Sequence, residues 1–342
     1  MLGLNPAATA WLQLQMPEHA RFRTACAKPA NAQRDRLSII VRANARTAFG
    51  RSHDFAGVRT PADFAARVPM GDHASNVQPW IERMRTPDDR KLTIEPVRFF
   101  EKTSGTTAEA KLIPFTNGLR KEIARAVAAW MGGLYLEHSS VFAGPAYWSI
   151  SPPLIQTHPP VAGVPVGNLD DTSYFPPRSA RALREWLVMN QAGRPETADA
   201  LYSHTLDQLL ARRDLAFVSV WSPTFFLNLD HRLRERLGHD FTWADQWPQL
   251  AVLSCWTDAQ SSQWLTAVRE RLGPGVKIQG KGLMATEGVT SAPYPGGDPV
   301  LAVRSHFYEF RDPATGEVRL AHELEPGSCH EVVLTTSGGL YR

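Results

Sequence analysis

The chain has 342 residues, 43% hydrophobic and 21% charged, a globular composition that excludes collagen, extended coiled coil and wholesale disorder. Its 37 Lys+Arg and 34 Asp+Glu leave +3 with the two signs interspersed, so charge gives no case for nucleic acid or a membrane surface as partner. The length allows one large domain or two ordinary ones.

The longest nearly uncharged apolar stretch, residues 126–136, is about half of a bilayer span and contains Gly132 and Gly133. The N-terminus lacks the basic start of a signal peptide. Cys26, Cys255 and Cys329 form an odd, scattered trio, which is no disulfide framework and fits a reducing, cytoplasmic compartment.

Apolar spacing predicts helices over 7–26 and 34–48, a capped helix start at Thr60-Pro61, and a further helix over 72–85. Helices this early suggest a lid or brace beside the main sheet. At Glu95 the pattern changes. Residues 96–100 read as a strand, followed by Lys102-Thr103-Ser104-Gly105-Thr106-Thr107 and then a long helix over 117–137. A strand, a small-residue turn and a helix would present backbone N–H groups to an anion. Residues 146–151 read as a strand and 152–178, rich in Pro, Gly, Asn and Asp, as a surface excursion. Strands over 215–221, 250–255 and 276–279 alternate with helices over 225–237 and 258–272, which implies parallel pairing. After Tyr294, short alternating segments over 300–310, 317–322 and 328–335 read as antiparallel sheet.

Two stretches carry chemistry. In Thr103-Ser104-Gly105-Thr106-Thr107-Ala108-Glu109-Ala110-Lys111, hydroxyls and amides can bind phosphate oxygens while the lysine supplies a point charge. It is not a Walker A loop, and such a turn before a helix can be a simple cap. In Lys281-Gly282-Leu283-Met284-Ala285-Thr286-Glu287-Gly288, a hydroxyl and a carboxylate follow a strand end, where open α/β sheets bind ligands. A lone carboxylate there suits Mg²⁺ shared with substrate phosphates, or simply a solvent-facing loop. Elsewhere, His322-Glu323 with Cys329-His330 fits no standard zinc spacing. No serine-hydrolase elbow and no dinucleotide fingerprint occurs. Trp130, Trp148, Trp221 and Trp264 lie in apolar stretches and read mostly as core. Trp221, at a strand end before Ser222-Pro223, falls where a pocket wall would.

Together these motifs resemble those of the GH3 family of acyl acid–amido synthetases, and more its bacterial members than its plant ones. Ser104-Gly105-Thr106-Thr107…Lys111 is similar to the phosphate loop of adenylate-forming enzymes, and 281–288 to their Thr/Ser–Glu motif. Further similar stretches are Val68-Pro69 with Pro79-Trp80-Ile81-Glu82-Arg83, Trp247-Pro248-Gln249-Leu250 before Cys255-Trp256-Thr257, His306-Phe307-Tyr308-Glu309-Phe310, and Gly339-Leu340-Tyr341-Arg342. They follow the family's order over most of the chain.

The resemblance implies an α/β adenylation domain with mixed parallel sheets flanked by helices and an antiparallel portion toward the C-terminus. Residues 1–94 would be a helical segment packed on the main domain, 95–299 the core, and 300–342 the antiparallel part. The chain departs from the pattern at Ala108, where the superfamily carries Gly or Ser. It also ends before the ribose-binding aspartate and small C-terminal domain that the resemblance implies.

The implied activity is formation of an acyl-adenylate from ATP and a small carboxylic acid, then acyl transfer to an amine, such as an amino acid. Transfer to coenzyme A, or nucleotide and acid binding without turnover, are the alternatives. The resemblance gives Ser104, Gly105, Thr106 and Thr107 to the β- and γ-phosphates and Lys111 to charge there or to loop support. Glu287 would ligate Mg²⁺, Thr286 bond the α-phosphate, and Met284 and Ala285 line the adenine. Val220, Trp221 and Ser222 would border the acyl acid.

Overall fold

The structure is a computed structural model that describes residues 3–103, 111–149, 158–167, 171–188 and 197–342. Helix α1 (Pro6–Cys26) starts where Asn5 accepts hydrogen bonds from the Ala7 and Ala8 amides and Pro6 takes the first helical position. Ala8, Trp11, Leu12, Gln15, His19 and Phe22, at i, i+3 and i+4 spacing, form its buried face. Helix α2 (Pro29–Asn44) begins earlier than the spacing predicts and ends at Asn44. There the Asn44 side chain bonds the Ile40 carbonyl and the Ile94 amide, while Thr47 starts α3 (Ala48–Ser52). Thr60 and Asp63 cap α4 (Pro61–Arg67) reciprocally. The single helix expected over 72–85 is two short ones, α5 (His73–Asn76) and α6 (Gln78–Ile81). Pro79 has no N–H to continue the first, so the chain breaks at Val77 and restarts.

Strands β1 (Phe99–Lys102) and β2 (Leu112–Phe115) pair antiparallel and lead into α7 (Asn117–Glu137), capped by Thr116. The geometry expected after residue 100 therefore changes. A strand, not the helix, follows the small-residue loop, because Leu112–Phe115 pairs antiparallel with β1 and buries Ile113, Pro114 and Phe115. Next come β3 (Ala146–Trp148), β4 (His158–Val161), β5 (Val164–Val166), α8 (Pro177–Trp186) and α9 (Ala198–Leu210). The excursion over 152–178 thus holds a hairpin, and β5 adds parallel to β1. Then follow β6 (Phe217–Ser219), α10 (Pro223–Leu237), α11 (Trp243–Gln246), β7 (Val252–Cys255), α12 (Leu265–Leu272) and β8 (Lys277–Gly280). The remaining strands are β9 (Met284–Ala285), β10 (Gly288–Val289), β11 (Ser291–Ala292), β12 (Val300–Leu301), β13 (Phe307–Arg311), β14 (Val318–Leu320) and β15 (Glu331–Thr335).

The central sheet, β3-β6-β7-β8, is parallel throughout. Alternation along β6 and β7 sends Phe217 and Val252 into one core with Trp11, Trp130 and Trp186 of α1, α7 and α8. Val218 and Leu253 enter the opposite core with Phe226, Leu229 and Trp243. Both faces are covered, as parallel sheets require. A third core joins the early helices to β1, β2 and β13 through Phe49, Phe64, Phe100, Ile113 and Tyr341. The C-terminal β14-β13-β15 sheet is antiparallel, as expected. α1 crosses α7 closely at Gly132, where a Cβ would fall 2.2 Å from the His19 ring. Among the described residues no helix is long and apolar enough to cross a membrane.

Candidate active site

All four central strands end at one edge. There the ladder continues one step, with Ser149 N bonding Ser219 O, Val220 N bonding Ser254 O and Lys281 N bonding Cys255 O, each at 2.9–3.1 Å. This carboxyl edge is where α/β sheets hold ligands. Trp221 is half-buried there, its ring 4.0 Å from that of Phe225, and its carbonyl accepts from Trp256 N. Val220 is fully buried in the α10-side core. Ser222 caps α10, its Oγ accepting from Phe225 N at 3.1 Å. Of the four tryptophans read from apolar stretches, Trp130 and Trp148 are core, while Trp264 is 42% exposed at the end of a 3-10 helix before α12.

Beyond β8 the chain turns at Gly282, whose φ of +71° favours glycine and whose absent side chain clears Ser291 Oγ and Pro299. It then forms the β9–β10 hairpin, with Thr286 and Glu287 as the turn. Among the described residues Glu287 has no ion-pair or hydrogen-bond partner, so its carboxylate is available to a ligand. The hairpin rests on α7, where Met284 and Val289 pack with Ile123 and Ala126. Behind it, His306 Nε2 accepts from Val289 N at 3.1 Å, so Nδ1 carries the proton and donates to Glu122 Oε2 at 3.0 Å. The other Glu122 oxygen meets Arg36 at 2.5 Å, and Ser337 donates to both oxygens. Burial would raise the Glu122 carboxyl, but these hydrogen bonds and the Arg36 charge outweigh it and hold it below the ordinary carboxylate range. A buried four-way network thus ties the hairpin to α2, α7 and the chain's end.

Ser104, Gly105, Thr106 and Thr107 lie outside the described residues. Their flanks are defined: Thr103 N bonds Lys111 O at 3.1 Å, and Lys111 N bonds Thr103 Oγ1 at 3.2 Å. These bonds close the tip of the β1–β2 hairpin. Lys111 is exposed, within electrostatic reach of Asp72. α7 is the shared support. The β1–β2 hairpin feeds its first turn, and the Glu287 hairpin lies on Ile123 and Ala126.

Lys281 opens the 281–288 stretch, and the motif alone assigns it no role. It is 5% exposed, its Nζ donates to Ser219 Oγ at 2.7 Å, and it lies 4.5 Å from the Trp130 ring centre. Burial pushes the amine down to about 7. Trp130 Nε1 donates to Gln279 Oε1 at 2.7 Å, and the Ser254 hydroxyl, in register between Ser219 and Gln279, is buried without a partner. The signal for this polar layer was two polar residues, Gln279 and Lys281, at strand spacing on the end of the partly buried strand β8.

No group of three or more His, Cys, Asp or Glu able to hold a metal occurs among the described residues. A single carboxylate at Glu287 fits Mg²⁺ that brings phosphate oxygens with it, rather than an ion caged by protein ligands.

Residues 18–239 match the GH3 family N-terminal domain. A 94-residue stretch is 36% identical to jasmonoyl–L-amino acid synthetase GH3.3 of Oryza sativa subsp. japonica, covering 27% of this chain and 20% of that protein. The fold is similar to that of GH3.15 acyl acid amido synthetase, with a TM-score of 0.75 and 16% identity over 95% of this chain and 66% of that one. It is also similar to AtGH3.15 in complex with 2,4-DB (TM-score 0.73, 18% identity, 100% and 68% covered). A more distant likeness is to 2-hydroxyisobutyryl-CoA ligase (TM-score 0.58, 18% identity, 92% and 61% covered). The chain thus matches about two thirds of the length of the solved GH3 relatives and a fifth of the curated one. With the family's N-terminal domain matched over most of its length, the chain belongs to the GH3 family.

Proposed function

We propose that the chain is the adenylating part of an ATP-dependent acyl acid–amido synthetase. A substrate carboxylate oxygen attacks the α-phosphorus of ATP, giving an acyl-adenylate and pyrophosphate. An amine, by preference that of an amino acid, then attacks the acyl carbon, loses a proton and expels AMP. Both steps concentrate charge on phosphate oxygens, so preorganised donors and a cation are the main requirement.

The observation that carries this reading is the carboxylate of Glu287, unpartnered among the described residues, on a hairpin turn pinned to α7, the helix that the loop-bearing β1–β2 hairpin enters. In this assignment Ser104, Gly105, Thr106 and Thr107 cradle the β- and γ-phosphates, with Lys111 beside them. Thr286 bonds the α-phosphate, and Met284 and Ala285 line the adenine. Glu287 takes Mg²⁺, which supplies Lewis-acid polarisation of the phosphate oxygens. The acyl acid lies at Val220–Ser222, with Trp221 as its wall. The domain division is 1–94, 95–299 and 300–342, and the compartment is cytoplasmic.

The test is a panel of carboxylic acids with ATP and Mg²⁺, read by pyrophosphate release, followed by product mass with amino acids or coenzyme A offered in parallel. An amide product supports the proposal. A thioester transfers the chain to the CoA-ligase reading, which the likeness to 2-hydroxyisobutyryl-CoA ligase makes the second candidate. ATP binding without pyrophosphate release leaves a nucleotide-binding protein.

A further inference from the structure

At the other end of the β1–β2 hairpin from residues 104–110 lies a separate cavity of about 680 Å³. Phe99–Lys102 spans three residue steps, which separates the two ends by about 10 Å. Arg98, Arg120 and Lys121 line this cavity, and among the described residues no carboxylate does. None of the three has an ion-pair partner among the described residues. Arg120 makes one long contact, to Asn117 Oδ1 at 3.4 Å, and its Nε is buried with no acceptor. Burial, reinforced by the neighbouring Arg98 charge, pulls the Arg120 guanidinium below its ordinary range. Arg120 is thus partly dehydrated beside the Arg98 charge, with no opposite charge paired to it among the described residues, an arrangement that an anion would relieve.

The cap of α7 does not supply this attraction. Gly118 N is taken by Glu95 at 2.6 Å and Leu119 N by Thr116 Oγ1. The side chains do. Two guanidinium forks match the geometry of phosphate oxygens, and three cations suit a ligand of charge −2 or −3 better than a monocarboxylate. Phe99, Pro165, Pro176 and Pro177 give the remaining wall an apolar character that fits a flat organic body.

We infer that this cavity is a second anion site, independent of the adenylation site, that binds a small organic phosphate through Arg98, Arg120 and Lys121. The probes are phenyl phosphate and, as the monocarboxylate of similar shape, benzoate, titrated calorimetrically into the whole chain at low ionic strength. The variant is Arg98→Gln/Arg120→Gln/Lys121→Gln, checked by circular dichroism, with the exposed pair Arg98→Gln/Lys121→Gln as a milder second variant. Phenyl phosphate is expected to bind at least tenfold more weakly to the triple variant and severalfold more weakly to the double one. Benzoate is expected to bind at least tenfold more weakly than phenyl phosphate to the unmodified chain. Binding of a non-hydrolysable ATP analogue should be the same in all three proteins, which separates this site from the nucleotide reading. Superimposable phenyl phosphate isotherms in unmodified chain and variants would overturn the inference, and equal binding of benzoate would overturn the phosphate assignment.

Discussion

Lys281→Met tests the physical account of the carboxyl edge most directly. In the unfolded chain this lysine titrates near 10.5; in the folded chain burial brings it to about 7. Each unit of difference is about 1.4 kcal/mol, so holding the ammonium in place costs about 5 kcal/mol relative to the neutral amine. The sign follows from proton counting. Below pH 7 both states are protonated and the full cost is present. Between about 7 and 10.5 the unfolded chain binds more protons than the folded one, so stability rises with pH. Above 10.5 both are neutral and the cost is gone. Methionine has nearly the same length, keeps the contact with Trp130 and cannot titrate, though it leaves the Ser219 hydroxyl without its donor. Urea unfolding of both proteins should therefore give curves that converge as pH rises. The variant is the more stable by several kcal/mol at pH 7, and the gap closes by about 1.4 kcal/mol per pH unit toward pH 10. Reading the difference cancels the buried tyrosines common to both. Parallel curves across that range would refute the reasoning, because they would mean that the amine does not change charge in the folded protein.

Glu287→Gln should leave the urea midpoint unchanged and lower ATP–pyrophosphate exchange about a hundredfold, on the order of 3 kcal/mol of transition-state stabilisation. Near-normal exchange would remove Glu287 from the metal-binding role. Glu122→Gln strips Arg36 and His306 of their buried partner and should cost about 3–5 kcal/mol in urea unfolding at pH 7. Since the Glu122 carboxyl lies below its unfolded value, its contribution is present above the ordinary carboxylate range and is lost on acidification through its folded pKa. Gly282→Ala meets both the positive φ and a contact at 2.8 Å with Ser291 Oγ, and should lower stability by about 1–3 kcal/mol. A thiol reagent at pH 8 should label the exposed Cys26 and Cys329 in the native protein and reach Cys255, buried and pushed up to about 11, only on unfolding.

Much of the fold was legible because its signals are local. The helix over 117–137 has a threonine cap and one long apolar stripe, and its bounds coincide with α7. The parallel strands were short apolar runs between helices, and Phe217 and Val218 part to opposite cores as the twofold period demands. Failures came where a tertiary partner decides. Leu112–Phe115 looks like a continuation of the loop until β1 pairs with it, and the hairpin of β4 and β5 is hidden among prolines, two of them on the edge strand β4.

The site divides along the same line. The turn pair Thr286-Glu287, whose ligand role is proposed, was visible in the sequence because a hydroxyl and a carboxylate follow a strand end consecutively. The network that holds its hairpin was not, since Arg36, Glu122, His306 and Ser337 come from four distant segments, each unremarkable alone. This has a consequence for how variants will behave. On this hairpin Ala285 is exposed and Thr286 and Glu287 are half-buried in the turn, so they are replaceable without unfolding, whereas the charges behind them are buried and their loss costs stability first. Loss of activity with stability intact therefore points to residues 285–287, and loss of both together to Met284 and the residues behind them.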